Sequence, residues 1–303
     1  MKLSVVIPAH NEVESVGETV LATVAELEKH GIEHEILVID DASTDGTGDF
    51  VRGLSTEHPT VRCERSRRPP GFGYAVRSGL DLYTGDAVAI MMADLSDSPK
   101  DLVLYFRLLE QGYDCAFGTR FGHGGGRVYD YPRFKLVLNR IVNLGIRILF
   151  QHGFNDTTNA FKAYRRHVID QVQPLLSAHF NLTVELPLKA IVRGYNYGVV
   201  PITWTNRQHG VSKLRLNEMG SRYAFIVLSV WLEHHLSRGD YRRHDELVPA
   251  SAADPPAVSV HLDAPMSPPP EASLAPDSTE PSSLYIPARG NSSNHWFRLA
   301  DRL

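Results

Sequence analysis

The sequence is poor in cysteine, in charge of one sign and in long apolar runs, and each shortage removes a class of protein. Two cysteines, Cys63 and Cys115, stand among 303 residues. A disulfide-stapled scaffold is therefore excluded, and both read as buried, reduced thiols. The net charge is −4 and unevenly spread: Asp245 to Leu303 holds 8 acidic and 3 basic residues, a net of −5, which leaves +1 on the first 244. A near-neutral body argues against a nucleic-acid partner. No stretch approaches the ~18 apolar residues of a membrane span, and the longest candidate, Tyr223 to Leu232, is about half that. Met1 to Pro8 is too short an apolar run for a signal peptide. The expectation is a cytoplasmic protein with no span of its own, in which the sequons at Asn155, Asn181 and Asn291 carry no meaning. Glycine is missing from the first strand-to-helix turn, and Gly71-Phe72-Gly73 has Val76 where a dinucleotide fingerprint needs its third glycine. No P-loop pattern or internal repeat occurs.

What is present is an alternation of apolar strands and helices. Strands are expected at Leu3–Pro8, His34–Asp40, Thr60–Glu64, Ala87–Met92 and Tyr113–Gly118. Helices are expected at Glu12–Lys29, Thr47–Glu57, Phe72–Tyr83 and Lys100–Gln111. Uninterrupted apolar strands between helices imply a mostly parallel sheet covered on both faces. A glycine-rich, basic loop, Thr119 to Arg133, leads into a basic amphipathic helix, Phe134–Phe150. Asn159–Tyr164 and Tyr197–Thr203 read as strands, Val184–Val192 and Asn217–Ser237 as helices. Ten of the nineteen prolines fall after Asp245 amid Ser and Ala, a composition that cannot offset its ordering entropy. The expected organisation is an α/β domain over 1–212, an amphipathic helix over 213–244 and a disordered tail over 245–303.

Ligands of open parallel sheets bind at the carboxyl ends of the strands. Four such ends are polar: Pro8-Ala9-His10-Asn11-Glu12, Asp40-Asp41-Ala42-Ser43-Thr44-Asp45, Gly71-Phe72-Gly73 and Asp94-Leu95-Ser96-Asp97. Acids at neighbouring strand ends suit a nucleoside and a divalent cation, because carboxylates accept from ribose hydroxyls and base N–H groups and hold Mg²⁺ beside a diphosphate. The other reading of such residues is a helix N-cap, which fits Asp45 and Ser98 by position.

These motifs, with Gly118-Thr119-Arg120, the basic segment Arg133–Asn143, Asn159-Ala160-Phe161-Lys162-Ala163-Tyr164-Arg165, Glu185–Gly194 and Pro201-Ile202 through Arg207, Gln208, Gly210, Ser212 and Lys213, resemble the family 2 glycosyltransferases over residues 1–240. More narrowly they resemble the dolichol- or polyprenyl-phosphate mannose synthases. The resemblance implies a GT-A type fold and an inverting hexosyltransferase. Pro8, His10, Glu12, Asp40, Asp41 and Gly73 would line the nucleotide-sugar pocket. Asp94, with Ser96 beside it, would hold Mg²⁺ or Mn²⁺ on the diphosphate. Arg120, Arg133 and Lys135 would meet the acceptor phosphate, and Arg207 and Lys213 would close over both substrates. Arg forks and Lys charges are the usual clamps for two anionic substrates, although on Arg133, Lys135, Arg140 and Arg147 a solvated helix face is the alternative. One departure stands out: Met92 occupies the first position of the family's Asp-x-Asp, and a thioether is a poor ligand for a hard cation.

A phosphate monoester, with its second pKa near 6, attacks without a strong base. A hydroxyl acceptor would need one, and Asp97 or Glu185 would be the candidates. The basic helix and Tyr223–Leu232, followed by Arg238, Arg242 and Arg243, suit a membrane surface, unless Ala224–Trp231 only packs on the core. The expectation is therefore mannose transfer from GDP-mannose to a lipid phosphate by a peripheral protein at a cytoplasmic membrane face, with a small membrane partner as a further option. Another donor such as UDP-glucose, a soluble acceptor, or a non-catalytic nucleotide-sugar-binding module are the alternatives.

Overall fold

The computed structural model describes residues 1–121, 127–129, 133–205 and 216–237, and the side chains of all of these but 127–129, 133, 135 and 216–219. Strands β1 (Leu3–Ala9), β2 (His34–Asp40), β3 (Val61–Arg65) and β4 (Ala87–Ile90) alternate with helices α1 (Val16–Lys29), α2 (Thr47–Glu57) and α3 (Phe72–Leu82). Helix α4 (Pro99–Glu110) leads to β5 (Cys115–Thr119), β6 (Arg127–Tyr129) and α5 (Arg133–Phe150). The chain continues through β7 (Lys162–Arg165), α6 (Arg166–Gln171), α7 (Leu182–Val192), β8 (Tyr197–Pro201), β9 (Thr203–Thr205) and α8 (Leu216–Leu236).

Seven strands form one sheet in the order β3-β2-β1-β4-β7-β5-β8, and β6 pairs with β9 apart from it. All ladders of the large sheet are parallel except those of β7, which runs antiparallel to β4 and β5. β7 follows a segment that returns from the carboxyl edge, so it can only run back down the sheet. The apolar runs of β1 and β2 feed two cores because successive side chains point to opposite faces. Leu3, Val5, Ile7, Ile36 and Val38 pack under α1 and α4, while Val6, Leu37 and Ile39 pack under α3 and α7. Helix α1 buries Val16, Val20, Val24 and Leu27 at helical spacing, each contributing about 2 kcal/mol of apolar burial.

Several boundaries differ from expectation for local reasons. Helix α1 starts at Val16 rather than Glu12, because Asn11 is left-handed (φ 54°) and the Glu12 carbonyl accepts from the Ser15 and Val16 amides at 3.1 and 2.8 Å. The expected strand Tyr197–Thr203 breaks at Ile202, after which β9 leaves the large sheet to pair with β6, inside what reads as a loop. Cys115 is buried and Cys63 half-buried, and both are free thiols. Helix α8 packs on the domain through one face, where Ile226 and Val230 are buried with Ile146 of α5 and Val184 and Leu188 of α7, while Phe225, Leu228, Leu232 and Leu236 are exposed. The tail over 245–303, the basic residues Arg238, Arg242 and Arg243, and the stretch 206–215 with Arg207 and Lys213 lie outside the described residues.

Candidate active site

The carboxyl edge of the sheet gathers the polar motifs. Asn11, Ala42 and Leu95, with φ of 54°, 56° and 61°, follow β1, β2 and β4, three strands adjacent in the sheet. Left-handed backbone costs a bulky residue such as leucine about 1 kcal/mol or more and persists where its surroundings dictate it.

The loops after β1 and β2 are zipped together by side chains. The Asn11 amide donates to Ser43 Oγ at 3.0 Å, the Thr44 amide to Asn11 Oδ1 at 2.8 Å, and the Glu12 amide to Thr47 Oγ1 at 3.0 Å. Asp45 accepts the Thr47 amide at 2.9 Å and the Val13 amide at 3.1 Å, but the N-cap of α2 is Gly46 (φ 91°), so Asp45 stands one residue before the cap it is expected to form. Asp40 Oδ1 accepts the Ser43 amide at 2.9 Å, and a Cβ on Gly48 would stand 2.6 Å from its Oδ2. Asp40 thus shapes the loop that presents Asp41. Pro8 lies past the last β1–β4 pair, Val6↔Ile90, where a missing N–H breaks no ladder. His10 Nδ1 stands 2.6 Å from the Asp41 carbonyl, and Glu12 accepts from Ser15 Oγ at 3.2 Å.

Asp41 is 6% exposed; its Oδ2 accepts the Gly71 amide at 2.8 Å, and its Oδ1 is buried with no hydrogen-bond partner. Burial raises its carboxyl above the ordinary range, as does the charge of Asp40, against the pull of the Gly71 amide, His10 and His179. A buried acceptor without a donor costs about 1–3 kcal/mol, a cost that a ligand N–H or O–H would remove. Gly73 has a packing role: a Cβ there would lie 2.7 Å from the Ser177 carbonyl oxygen and 2.8 Å from the His179 nitrogen, both backbone.

At the end of β4, Asp94 Oδ1 accepts the Ser96 amide at 3.2 Å, and Asp97 Oδ2 accepts the Met92 amide at 2.9 Å. The Ser96 carbonyl accepts the Thr205 amide of β9 at 3.3 Å. Asp94, Ser96 and Asp97 are all buried. Burial pushes the Asp97 carboxyl up to about 7, with the Asp94 charge adding and the Met92 amide and Arg120 opposing. Two buried carboxylates that repel one another fit a hard cation that completes its shell with diphosphate oxygens and water. Among the described residues no group of three or more His, Cys, Asp and Glu is placed to hold a metal ion by itself. Met92 enters this loop through its amide.

Arg120, at the end of β5, is 7% exposed. Asp156 takes its amide and Nε at 2.9 Å each and its Nη2 at 2.7 Å. The guanidinium also stands over Phe121 and Trp204, and Arg140 of α5 stands over the same Phe121 ring at 4.7 Å. Asn139 and Asn143 of α5 bond Thr158 Oγ1 at 2.8 and 3.1 Å, and Arg120 Nη2 lies 3.5 Å from that oxygen. The helix is thus fastened to the Arg120 cluster. Its outer face leaves Phe134, Val137, Ile141, Leu144 and Ile148 exposed, at 72%, 57%, 62%, 53% and 69%. The side chains of Arg133 and Lys135 at its start are outside the described residues. Beneath the cluster, buried Lys162 donates to the carbonyls of Thr157, Asn159 and Thr183, and burial pushes its ammonium down to about 7.

Glu185 is fully buried and committed to the Leu176 and Ser177 amides and to Lys189. It is not placed to act as a base. Asp156 and the amide partners of Glu185 are absent from the sequence motifs: Arg120 lies 36 residues from Asp156, and no local pattern links them.

Residues 4–173 match the family model described as Glycosyl transferase family 2. The chain belongs to that family. This family 2 glycosyltransferase is 33% identical over 234 residues to the polyprenol monophosphomannose synthase of Mycolicibacterium smegmatis, covering 75% of this chain and 85% of that one. It is 31% identical over 218 residues to the dolichol-phosphate mannosyltransferase of Pyrococcus furiosus, covering 71% of this chain and 60% of that longer one. The resemblance to the mannose synthase branch is therefore borne out. Among solved structures, glucosyl-3-phosphoglycerate synthase from Mycobacterium tuberculosis, in complex with Mn²⁺, UDP and phosphoglyceric acid, aligns with a TM-score of 0.57 at 19% identity, over 77% of this chain and 78% of that one. Another structure of that enzyme holds Mg²⁺ and UDP. At that identity the likeness bears on the fold, which is of the GT-A type.

Proposed function

We propose that this transferase moves mannose from GDP-mannose to a polyprenyl phosphate, with inversion, at the cytoplasmic face of a membrane. The observation that carries the reading is the fastening of an apolar, acid-free helix face to the cluster around Arg120, within the same carboxyl edge that presents Asp41 and Asp94. A lipid acceptor needs an apolar approach to a cationic site, and a nucleotide donor needs base, ribose and diphosphate contacts.

In this reading Asp41 Oδ1 accepts from the base, and Pro8, His10, Glu12, Asp40 and Gly73 build the walls and loops around the nucleoside. Asp94, with Ser96 beside it, would hold Mg²⁺ or Mn²⁺, which would neutralise charge on the diphosphate. Arg120, Arg133 and Lys135 receive the acceptor phosphate, and Arg207 and Lys213 close over the two anions. The acceptor phosphate is mostly dianionic at pH 7 and already nucleophilic. One of its oxygens bonds to the anomeric carbon as the bond to the nucleoside diphosphate breaks, and no proton has to be removed. The commitment of Glu185 to backbone amides is consistent with a reaction that needs no general base.

Among the described residues no helix is long and apolar enough to cross a membrane. Helix α5 carries Arg133, Lys135, Arg140 and Arg147 and no acid, the pattern of a helix lying in an anionic interface. A small membrane partner is compatible with the same face. The test is a donor panel, GDP-mannose against UDP-glucose, on one polyprenyl phosphate. Label passing into the organic phase from GDP-mannose supports the reading, and passage from UDP-glucose alone overturns the choice of donor.

A further inference from the structure

Glu185 and Lys189 stand one helical turn apart on α7, both buried, with Lys189 Nζ 3.1 Å from Glu185 Oε1. The two carboxylate oxygens accept separate backbone amides, Leu176 and Ser177, each at 2.8 Å. Lys189 donates to the Pro174 carbonyl. One ion pair therefore grips three backbone groups within residues 174–177, between α6 and α7.

The gripped strand of chain continues into the nucleotide side of the sheet edge. The Ala178 carbonyl accepts the Tyr74 amide at 3.2 Å, in the first turn of α3. Cβ atoms on Gly71 and Gly73 would meet the 177–179 backbone at 2.6 and 2.7 Å, so the two segments are in direct backbone contact. Phe72 stacks on Phe180 with centroids 4.3 Å apart. Gly71, at the other end of this contact, donates its amide to Asp41 Oδ2 and so leaves Asp41 Oδ1 as the unpartnered acceptor.

We propose that the Glu185–Lys189 pair is a positioning device for the donor nucleotide pocket: through the 176–179 backbone it sets the start of α3 and, through Gly71, the orientation of the Asp41 carboxylate. The proposal deepens the transferase reading of this edge and rests on it for the identity of the ligand. Carboxylate-to-amide bonds are charge-assisted and hold geometry more tightly than neutral ones, and sites are built by such supporting layers. Glu185→Gln retains one acceptor and turns an NH₂ group toward the second amide. Lys189→Met keeps both acceptors and removes the counter-charge.

The test uses the full-length chain and both variants. Amide hydrogen exchange is followed at Gly71 and Tyr74, with Val38 of β2 as the internal reference, and GDP and UDP are titrated by calorimetry. Exchange at Gly71 and Tyr74 is expected to accelerate about tenfold or more while Val38 keeps its wild-type rate. The Kd of the nucleotide bound by wild type is expected to rise about tenfold, with kcat at saturating donor within about twofold. Wild-type exchange at Gly71 and Tyr74 in a folded variant, or an unchanged Kd, overturns the proposal. If Glu185→Gln does not fold, Lys189→Met carries both readouts. A wild type that binds neither GDP nor UDP counts against the transferase reading, and the exchange rates then decide the clamp by themselves.

Discussion

Asp156 grips Arg120 through the backbone amide, Nε and Nη2, at 2.9, 2.9 and 2.7 Å, inside a site where Asp156 is 0% exposed. Removing one member of a buried pair leaves the other as an uncompensated charge, which costs about 3–5 kcal/mol. Asp156→Ala is therefore expected to lose about 3 kcal/mol in urea unfolding and to transfer sugar at least about tenfold more slowly, because Arg120 loses its orientation. Arg120→Lys cannot rebuild a bidentate contact and is expected to follow Asp156→Ala in both measurements.

Asp41→Asn replaces one carboxylate oxygen by an NH₂ group. Whichever way the amide turns, either the Gly71 amide or the vacant acceptor position faces a donor. The Michaelis constant for the donor is expected to rise about tenfold or more with a smaller change in kcat. Steady-state kinetics with varied donor at saturating acceptor checks this.

His152, just past α5, gives a pH dependence of stability. Burial pushes its imidazole down to about 4, and the Arg147 charge adds to the shift. Between the ordinary value of 6.5 and about 4 the unfolded chain takes up a proton that the folded chain refuses. The sign follows from linkage: stability falls as pH drops through that window, and the contribution vanishes above it. His152→Gln is expected to lose less in melting temperature than wild type between pH 6.5 and about 4.5. Equal losses in the two proteins contradict the assignment.

Acidic substitutions on the exposed face of α5 test the proposed membrane contact apart from catalysis. Ile141 and Ile148 are 62% and 69% exposed, so Ile141→Glu with Ile148→Glu is expected to change stability by about 1 kcal/mol at most. It is expected to abolish flotation with anionic liposomes while turnover on a short, water-soluble prenyl phosphate stays within about twofold. Retained flotation contradicts the role given to this face.

Much of this architecture can be read without coordinates, for local reasons. β1 and β2 are unbroken apolar runs, and their polar ends follow directly in the chain, so the edge that carries Asp41 and Asp94 is legible from strand order alone. Asp45 accepts the amide of Thr47 at the start of the next helix, which is likewise a short-range relation. What escapes such a reading is contact across the sheet. Arg120 invites a phosphate-binding role, and the aspartate that orients its fork, Asp156, is marked by no motif. Glu185 looks like a candidate base until the backbone of the 174–177 turn is seen wrapped on it. Gly73 reads as part of the nucleotide pocket, and the close approach of the 177–179 backbone to it is not visible in the sequence. The break at Ile202 is equally hidden, because β9 finds its partner in a glycine-rich segment without strand periodicity.

The most direct measurement is transfer of labelled mannose from GDP-mannose into organic-extractable polyprenyl phosphate, with Mg²⁺ or with EDTA, by wild type and Asp94→Ala. The account expects metal-dependent transfer by wild type and a loss of about a hundredfold or more in Asp94→Ala, with the fold of the variant intact by circular dichroism. Transfer that survives both EDTA and Asp94→Ala, or no transfer by wild type under any of these conditions, would contradict it.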